Sequence, residues 1–100
     1  MHSTAICSAI GQRRLLKFQY HEHTETTVVE PHLFGVNETG QRTLCAWLVE
    51  GVTYSHKGLG WRMYLEERMA NIEILDVRFE RPREGYKADD RRFATIHCCL

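Results

Sequence analysis

The chain has no excess charge of either sign. Thirteen Lys/Arg are matched by thirteen Asp/Glu, for a formal net charge of zero. That excludes a global attraction to nucleic acid or to an anionic membrane and leaves such contacts to a local basic patch. No apolar run approaches the ~18 residues of a membrane span, so no membrane partner is expected. Residues Met1 to Cys7 show no basic region followed by an apolar stretch, so no secretory signal is expected and the location read from sequence is cytoplasmic. The four cysteines, Cys7, Cys45, Cys98 and Cys99, include no pair at the two-residue spacing of a zinc knuckle or redox motif. Adjacent cysteines rarely bridge each other. Reduced thiols are therefore expected, with Cys45 as a small buried apolar side chain, and neither metal nor cofactor is expected. The GxxxxGK[ST] phosphate loop is also missing. No Cys/His or Glu/His pair has nucleophile-and-base spacing, so the chain is not expected to be an enzyme. Glu30, beside Pro31 and His32, is the best acid/base candidate. It reads more simply as a carboxylate bonded to a backbone amide or an arginine.

What is present suits one small domain. One hundred residues with 43% apolar and 26% charged side chains have an ordinary globular balance. Ser3 to Arg13 predicts a short helix, with Ala5, Ile6, Ala9 and Ile10 on one stripe and Gly11 as a stop. Arg13 and Arg14 would face the negative end of its dipole. Leu16, Phe18 and Tyr20 alternate with polar residues, as in a half-buried strand. The run from His21 to Thr26 predicts a solvated loop, although His21 and His23 could flank a metal. Val28 to Val36 predicts a strand that Pro31 assigns to a sheet edge or a bulge. Asn37 to Gly40 predicts a turn. Arg42 to Val49 is apolar on both faces and so central in the sheet. Glu50 to Gly60 predicts a glycine-rich connection whose backbone amides, with Ser55, could approach an anion. Trp61 to Leu65 predicts a strand, Glu66 to Ala70 a turn or short helical segment, and Ile72 to Val77 another strand. Pro82 and Gly85 interrupt. Phe93, Ile96 and Leu100 behind Asp89 or Asp90 predict a short docked C-terminal helix, with a final strand as the alternative. The expected fold is mainly β (α+β): a small bent antiparallel sheet with a short N-terminal helix and the C-terminal helix just described.

The order of landmarks is specific. Phe18-Gln19-Tyr20, Val28-Val29-Glu30-Pro31, Leu44-Cys45-Ala46-Trp47, Gly60-Trp61-Arg62 and Arg68-Met69 follow one another over residues 6–79. This order resembles the WYL domain, with residues 80–100 as a C-terminal extension. The resemblance implies a partly open Sm-like barrel that senses a ligand, often a nucleotide or nucleic acid, and serves in transcription regulation. It places Arg62 and Arg68 on basic positions of the family's site. Thr27 and Leu65 stand where the family carries arginine, and Arg42-Thr43-Leu44 replaces the naming triplet. Anion recognition would then move onto Arg42, His32 and Arg62. About a dozen residues precede the first strand, too few for the helix-turn-helix that many members carry.

The function expected from these readings is a ligand-sensing module without catalysis, for a nucleotide or single-stranded nucleic acid. Arg62, Arg68, Arg42, His32 and Ser55 would contact phosphate, and Trp47, Trp61 and Tyr64 would stack on a base. Strand alternation sets Arg62 and Tyr64 together as an exposed pair. The second expectation is a partner protein or homo-oligomer bound through a sheet edge, with Val28 to Val36 as the candidate edge.

Overall fold

Helix α1 (Ser3–Gln12) forms where Ile6, Ala9 and Ile10 repeat at helical spacing, and all three are buried. The structure, a computed structural model, describes residues 3–21, 26–51 and 60–100. Gly11 does not stop the helix. Arg13 does, two residues later, in the left-handed conformation (φ 55°), with its N–H donating to the Ile10 carbonyl. Nor do Arg13 and Arg14 serve the helix dipole. Arg13 donates to the Glu80 carbonyl and Arg14 to the Leu75 carbonyl, so both guanidinium groups tie the helix exit to a distant part of the chain.

Six strands follow: β1 (Arg14–Tyr20), β2 (Thr26–Asn37), β3 (Arg42–Glu50), β4 (Gly60–Leu65), β5 (Met69–Arg78) and β6 (Phe93–Cys99), with a 3-10 turn at Glu66–Arg68. All pairings are antiparallel, in the order β4-β3-β2-β1-β5, with β6 on β2. The twelve-residue β2 organises the sheet. Its first half pairs with β1 as far as Val29, its second half pairs with β6 from Leu33 onward, and β3 accompanies it throughout. Pro31, which has no N–H to donate, falls between the two stretches. There the register with β3 shifts by one residue between Pro31 and Leu33, a bulge centred on His32. A bulge bends its strand and re-aims side chains, and this one lets β2 pass from one neighbour to the next. The result is a bent antiparallel sheet that is not closed.

Leu16, Phe18, Val29, Phe34, Leu44, Ala46 and Leu48 fill the inner face, where α1 packs on them. The far end of β1 meets β4 through rings: Tyr20 lies 5.0 Å from Tyr64, and Phe18 lies 5.1 Å from Tyr64, both edge to face. The Leu65 N–H donates to the Tyr20 hydroxyl at 2.9 Å. The Asn37–Gly40 turn between β2 and β3 forms as expected, and the Asn37 Oδ1 accepts from the backbone of Thr39 and Gln41.

Three expectations are corrected. Val28 to Val36 is not an edge, because β2 has a strand on each side over most of its length. The C-terminal segment is strand β6 and not a helix. Its backbone supplies hydrogen-bond partners for Leu33–Asn37, which β1 has already left and whose buried N–H and C=O groups require them. The cysteines are not all free thiols. Strand β6 brings Cys98 against α1, where it forms a disulfide with Cys7 (Cα–Cα 5.7 Å). Such bonds persist in oxidising compartments and are rare in the cytosol, so this pair sits uneasily with the cytoplasmic location read from sequence. Cys45 is buried, as expected, and Cys99 is exposed with a free thiol. Among the described residues, no helix is long and apolar enough to cross a membrane.

Candidate ligand-binding site

The outer face of the sheet, opposite the helix, carries a second cluster. Cross-strand pairs share a face, and Glu30 pairs with Trp47, Leu33 with Cys45, and Trp47 with Trp61. The bulge adds His32 to this side. Residues 79–92, which run without helix or strand from the end of β5 to β6, cross the face as a strap.

His32 is at the centre and fully buried. Its Nδ1 lies 2.7 Å from the Glu30 carbonyl oxygen, and its Nε2 lies 3.0 Å from the Arg83 backbone nitrogen. A carbonyl only accepts and an amide N–H only donates. The ring must therefore be neutral, protonated at Nδ1, with Nε2 accepting. Burial is the largest influence on it and pushes its pKa below the usual histidine value. Phe79 stacks on the ring (20° between planes, 5.4 Å), Trp61 meets it edge to face at 4.7 Å, and Tyr86 tilts against it at 5.3 Å.

Arg83 ties the strap down. Its Nε and Nη2 donate to the two carboxylate oxygens of Glu30, at 2.7 and 2.9 Å. This two-point geometry is the strongest form of such a pair. The buried Glu30 carboxylate is therefore committed to a structural ion pair. The same guanidinium lies 5.1 Å over the Trp47 ring, and Trp47 and Trp61 meet edge to face at 5.5 Å. The Trp61 indole N–H donates to the Glu84 carbonyl. Gly85 (φ 90°) passes so close that a Cβ there would come within 3.1 Å of the Trp61 nitrogen. A shallow groove of about 410 Å³ is lined by Glu30 and by strap residues 79–84. A second cavity, of about 140 Å³, lies between Cys45, Trp61, Tyr86 and Arg92. Burial raises the Cys45 thiol to about 11 and the Tyr86 hydroxyl to about 12. Both are protonated at neutral pH and supply neither nucleophile nor base. Hydrogen bonding from Arg92 holds Asp90 below the usual carboxylate range.

The residues singled out in the sequence divide between two faces. His32, Trp47 and Trp61 come together on the outer face. Arg42 and Arg62 share the alternation of Leu44 and Ala46 and so lie on the core side. Arg42 pairs there with Glu66 at 2.6 Å and lies over Phe34, and Arg62 donates to the Trp61 carbonyl. Tyr64 is not the exposed partner of Arg62 that alternation suggested. It is 2% exposed within the Phe18–Tyr20 ring cluster, because inward-facing Leu44 is its cross-strand neighbour. Arg68 is exposed on the 3-10 turn. Ser55 and His23 lie outside the described residues. Sequence reading missed Arg83, Phe79 and Tyr86. The local signal was only the Pro82 and Gly85 interruption, and the partner of Arg83 lies 53 positions away. No protein-family model, curated protein or solved structure matches this chain.

Proposed function

We propose that this chain is a binding module without catalytic activity for a nucleotide or single-stranded nucleic acid, and a compact member of the WYL-domain family that its landmarks resemble. The observation that carries the reading is the half-buried Trp47 with the Arg83 guanidinium over its ring and Trp61 at its edge. Single-stranded nucleic acid is held by aromatic platforms on which bases stack and by nearby cations, each stacked base contributing ~1–3 kcal/mol. Arg83 is 45% exposed and its Nη1 is not used by Glu30, so planar cation and ring are presented together. The zero net charge makes the expected binding weak and salt-sensitive.

The chain has two tryptophans, Trp47 and Trp61, so fluorescence excited selectively at tryptophan reports on this face alone. Titration with a short oligothymidylate at low salt should quench it with a micromolar midpoint, and the midpoint should weaken as salt is raised. Trp47→Ala should weaken binding by roughly tenfold or more, measured by anisotropy of a labelled oligonucleotide. No change in either signal at about 100 µM oligonucleotide in low salt would end this reading.

A second reading rests on the sheet edges. The outer sides of β4 and β5 carry no partner strand among the described residues, and Met63 and Val77 are exposed there. Open edges accept a strand from another chain. Light scattering across a hundredfold dilution should then show a mass above 11.7 kDa that falls with concentration. A constant monomer rules out self-assembly.

A further inference from the structure

We infer that the strap at residues 79–92 is a cover latched onto the sheet by His32 and released by mild acid. The strap has no helix or strand of its own, so specific ties hold it to the outer face. The Arg83 N–H donates to His32 Nε2, the Arg83 side chain pairs with Glu30, the Trp61 indole donates to the Glu84 carbonyl, and the Tyr86 hydroxyl donates to the Leu100 carbonyl. Phe79 and Tyr86 add ring contacts, and both are contacts to His32. One imidazole thus receives a backbone donor and two rings from the same segment.

That arrangement admits a single protonation state. Nδ1 donates to a carbonyl, so Nε2 has to stay bare to accept from Arg83. A proton added at Nε2 would point one donor at another and break the bond. Among the described residues the new charge would also have no free counter-ion. From β2 the ring faces Glu30, whose carboxylate is committed to Arg83. From the strap it faces the Arg83 cation and the Tyr86 hydroxyl. Trp61 of β4 and Phe79 carry no charge. Once the strap lifts, the ring meets water and takes up a proton at the ordinary histidine value.

The sign follows from linkage. The closed form holds the ring neutral, so its stability relative to the open form is complete above about pH 6.5, the unperturbed value. It is lost as the pH falls below that, by up to about tenfold in the open/closed ratio per pH unit, until the depressed value of the closed form is reached. Opening would uncover Trp61 and Cys45. It would also withdraw Arg83 from Trp47, a consequence for ligand binding that rests on the stacking function proposed above.

The test is a nitrogen-15 NMR titration of the intact chain from about pH 8 to pH 5, above the range where ordinary carboxylates titrate. The Arg83 amide and Trp61 indole signals should move together with the His32 ring, at one midpoint below about 6.5. Opening, read by relaxation dispersion, should rise by up to about tenfold per unit, while the amides of Ile6 and Ile10 in α1 stay unchanged. His32→Gln, which does not titrate, should abolish the transition. Strap signals that stay flat across the range overturn the inference. So does a transition that α1 shares, since that is global unfolding, or one that persists in His32→Gln. Should that variant not fold, the co-titration of ring and strap in the unaltered chain decides alone. Failure of oligonucleotide binding with the transition intact removes the stacking function and leaves the latch standing.

Discussion

Gly35→Ala is expected to destabilise the chain by about 3 kcal/mol, the upper part of the usual range for forcing carbon into a packed interior. Gly35 is buried on β2 where β6 crosses it, paired with Ile96. A Cβ there would run into the Thr95 carbonyl oxygen and stand 3.0 Å from the Ile96 Cα. Both obstacles are backbone, so no rotamer change relieves them. The strand pair has to separate, and the Cys7–Cys98 link carries that displacement to α1. Gly11→Ala is the control. A methyl added at that glycine meets nothing within 4 Å, its φ is not left-handed, and it lies inside α1. The same change there should stabilise by about 0.5–1 kcal/mol through helix propensity and a less flexible unfolded chain. Urea denaturation monitored by circular dichroism would measure both. A Gly35→Ala midpoint equal to that of the unaltered chain would mean that β6 does not lie where it is described.

Loss of the Cys7–Cys98 bond is the second large effect expected. The bond closes a separation of 91 residues. Loop-closure entropy for a span of that size is worth ~4.6 kcal/mol, and measured losses of native disulfides run about 2–5 kcal/mol. The effect is large because α1 has only ten residues. A helix so short does not hold itself together in water, and it keeps its place through Ile6, Ala9, Ile10 and this tether. Cys7→Ser with Cys98→Ser should lower the denaturation midpoint accordingly, and a reducing agent should do the same to the unaltered chain. Alkylation in denaturant should label two of the four cysteines before reduction and all four after it. Four labelled thiols in protein purified without reductant, with no response to reductant, would show that the pair is only in contact. The compartment of the protein is linked to this outcome, because a cytosolic thiol pool would keep both sulfurs reduced.

Much of the architecture was legible locally. Period-two alternation located β1, β3 and β4 within a residue or two, and the helical stripe located α1. Pro31 narrowed its position to an edge or a bulge, because a missing donor is tolerated only there, and the structure decided for a bulge beside it. The C-terminal segment shows the limit of local reading. Phe93, Ile96 and Leu100 have helical spacing, yet the vacant side of Leu33–Asn37 made them a strand. The outcome was set by hydrogen-bonding groups on β2, some 60 positions earlier in the chain.

The binding residues divide the same way. His32, Trp47 and Trp61 were recognisable as chemistry-bearing groups, but alternation left Trp61 as open to the core as to a binding platform, and the sheet register put both tryptophans on the face opposite the core. Alternation also placed Tyr64 with Arg62, correctly as to side. It did not show that this side is the core, because amphipathic spacing fixes which residues share a face and not what covers that face. Arg83 shows the deeper reason. Its value lies in a carboxylate 53 residues away, a ring on β3 and a histidine on a bulge, none of which leaves a trace in its neighbours. The sequence by itself determined helix α1, strands β1 to β5, the apolar stripe of that helix that becomes core, and the residue types available for a site. Only the tertiary structure decided which strands pair, that Cys98 reaches Cys7, and that the strap closes over His32. Each of these joins segments distant along the chain, and the energy of such a contact belongs to the pair rather than to either segment alone.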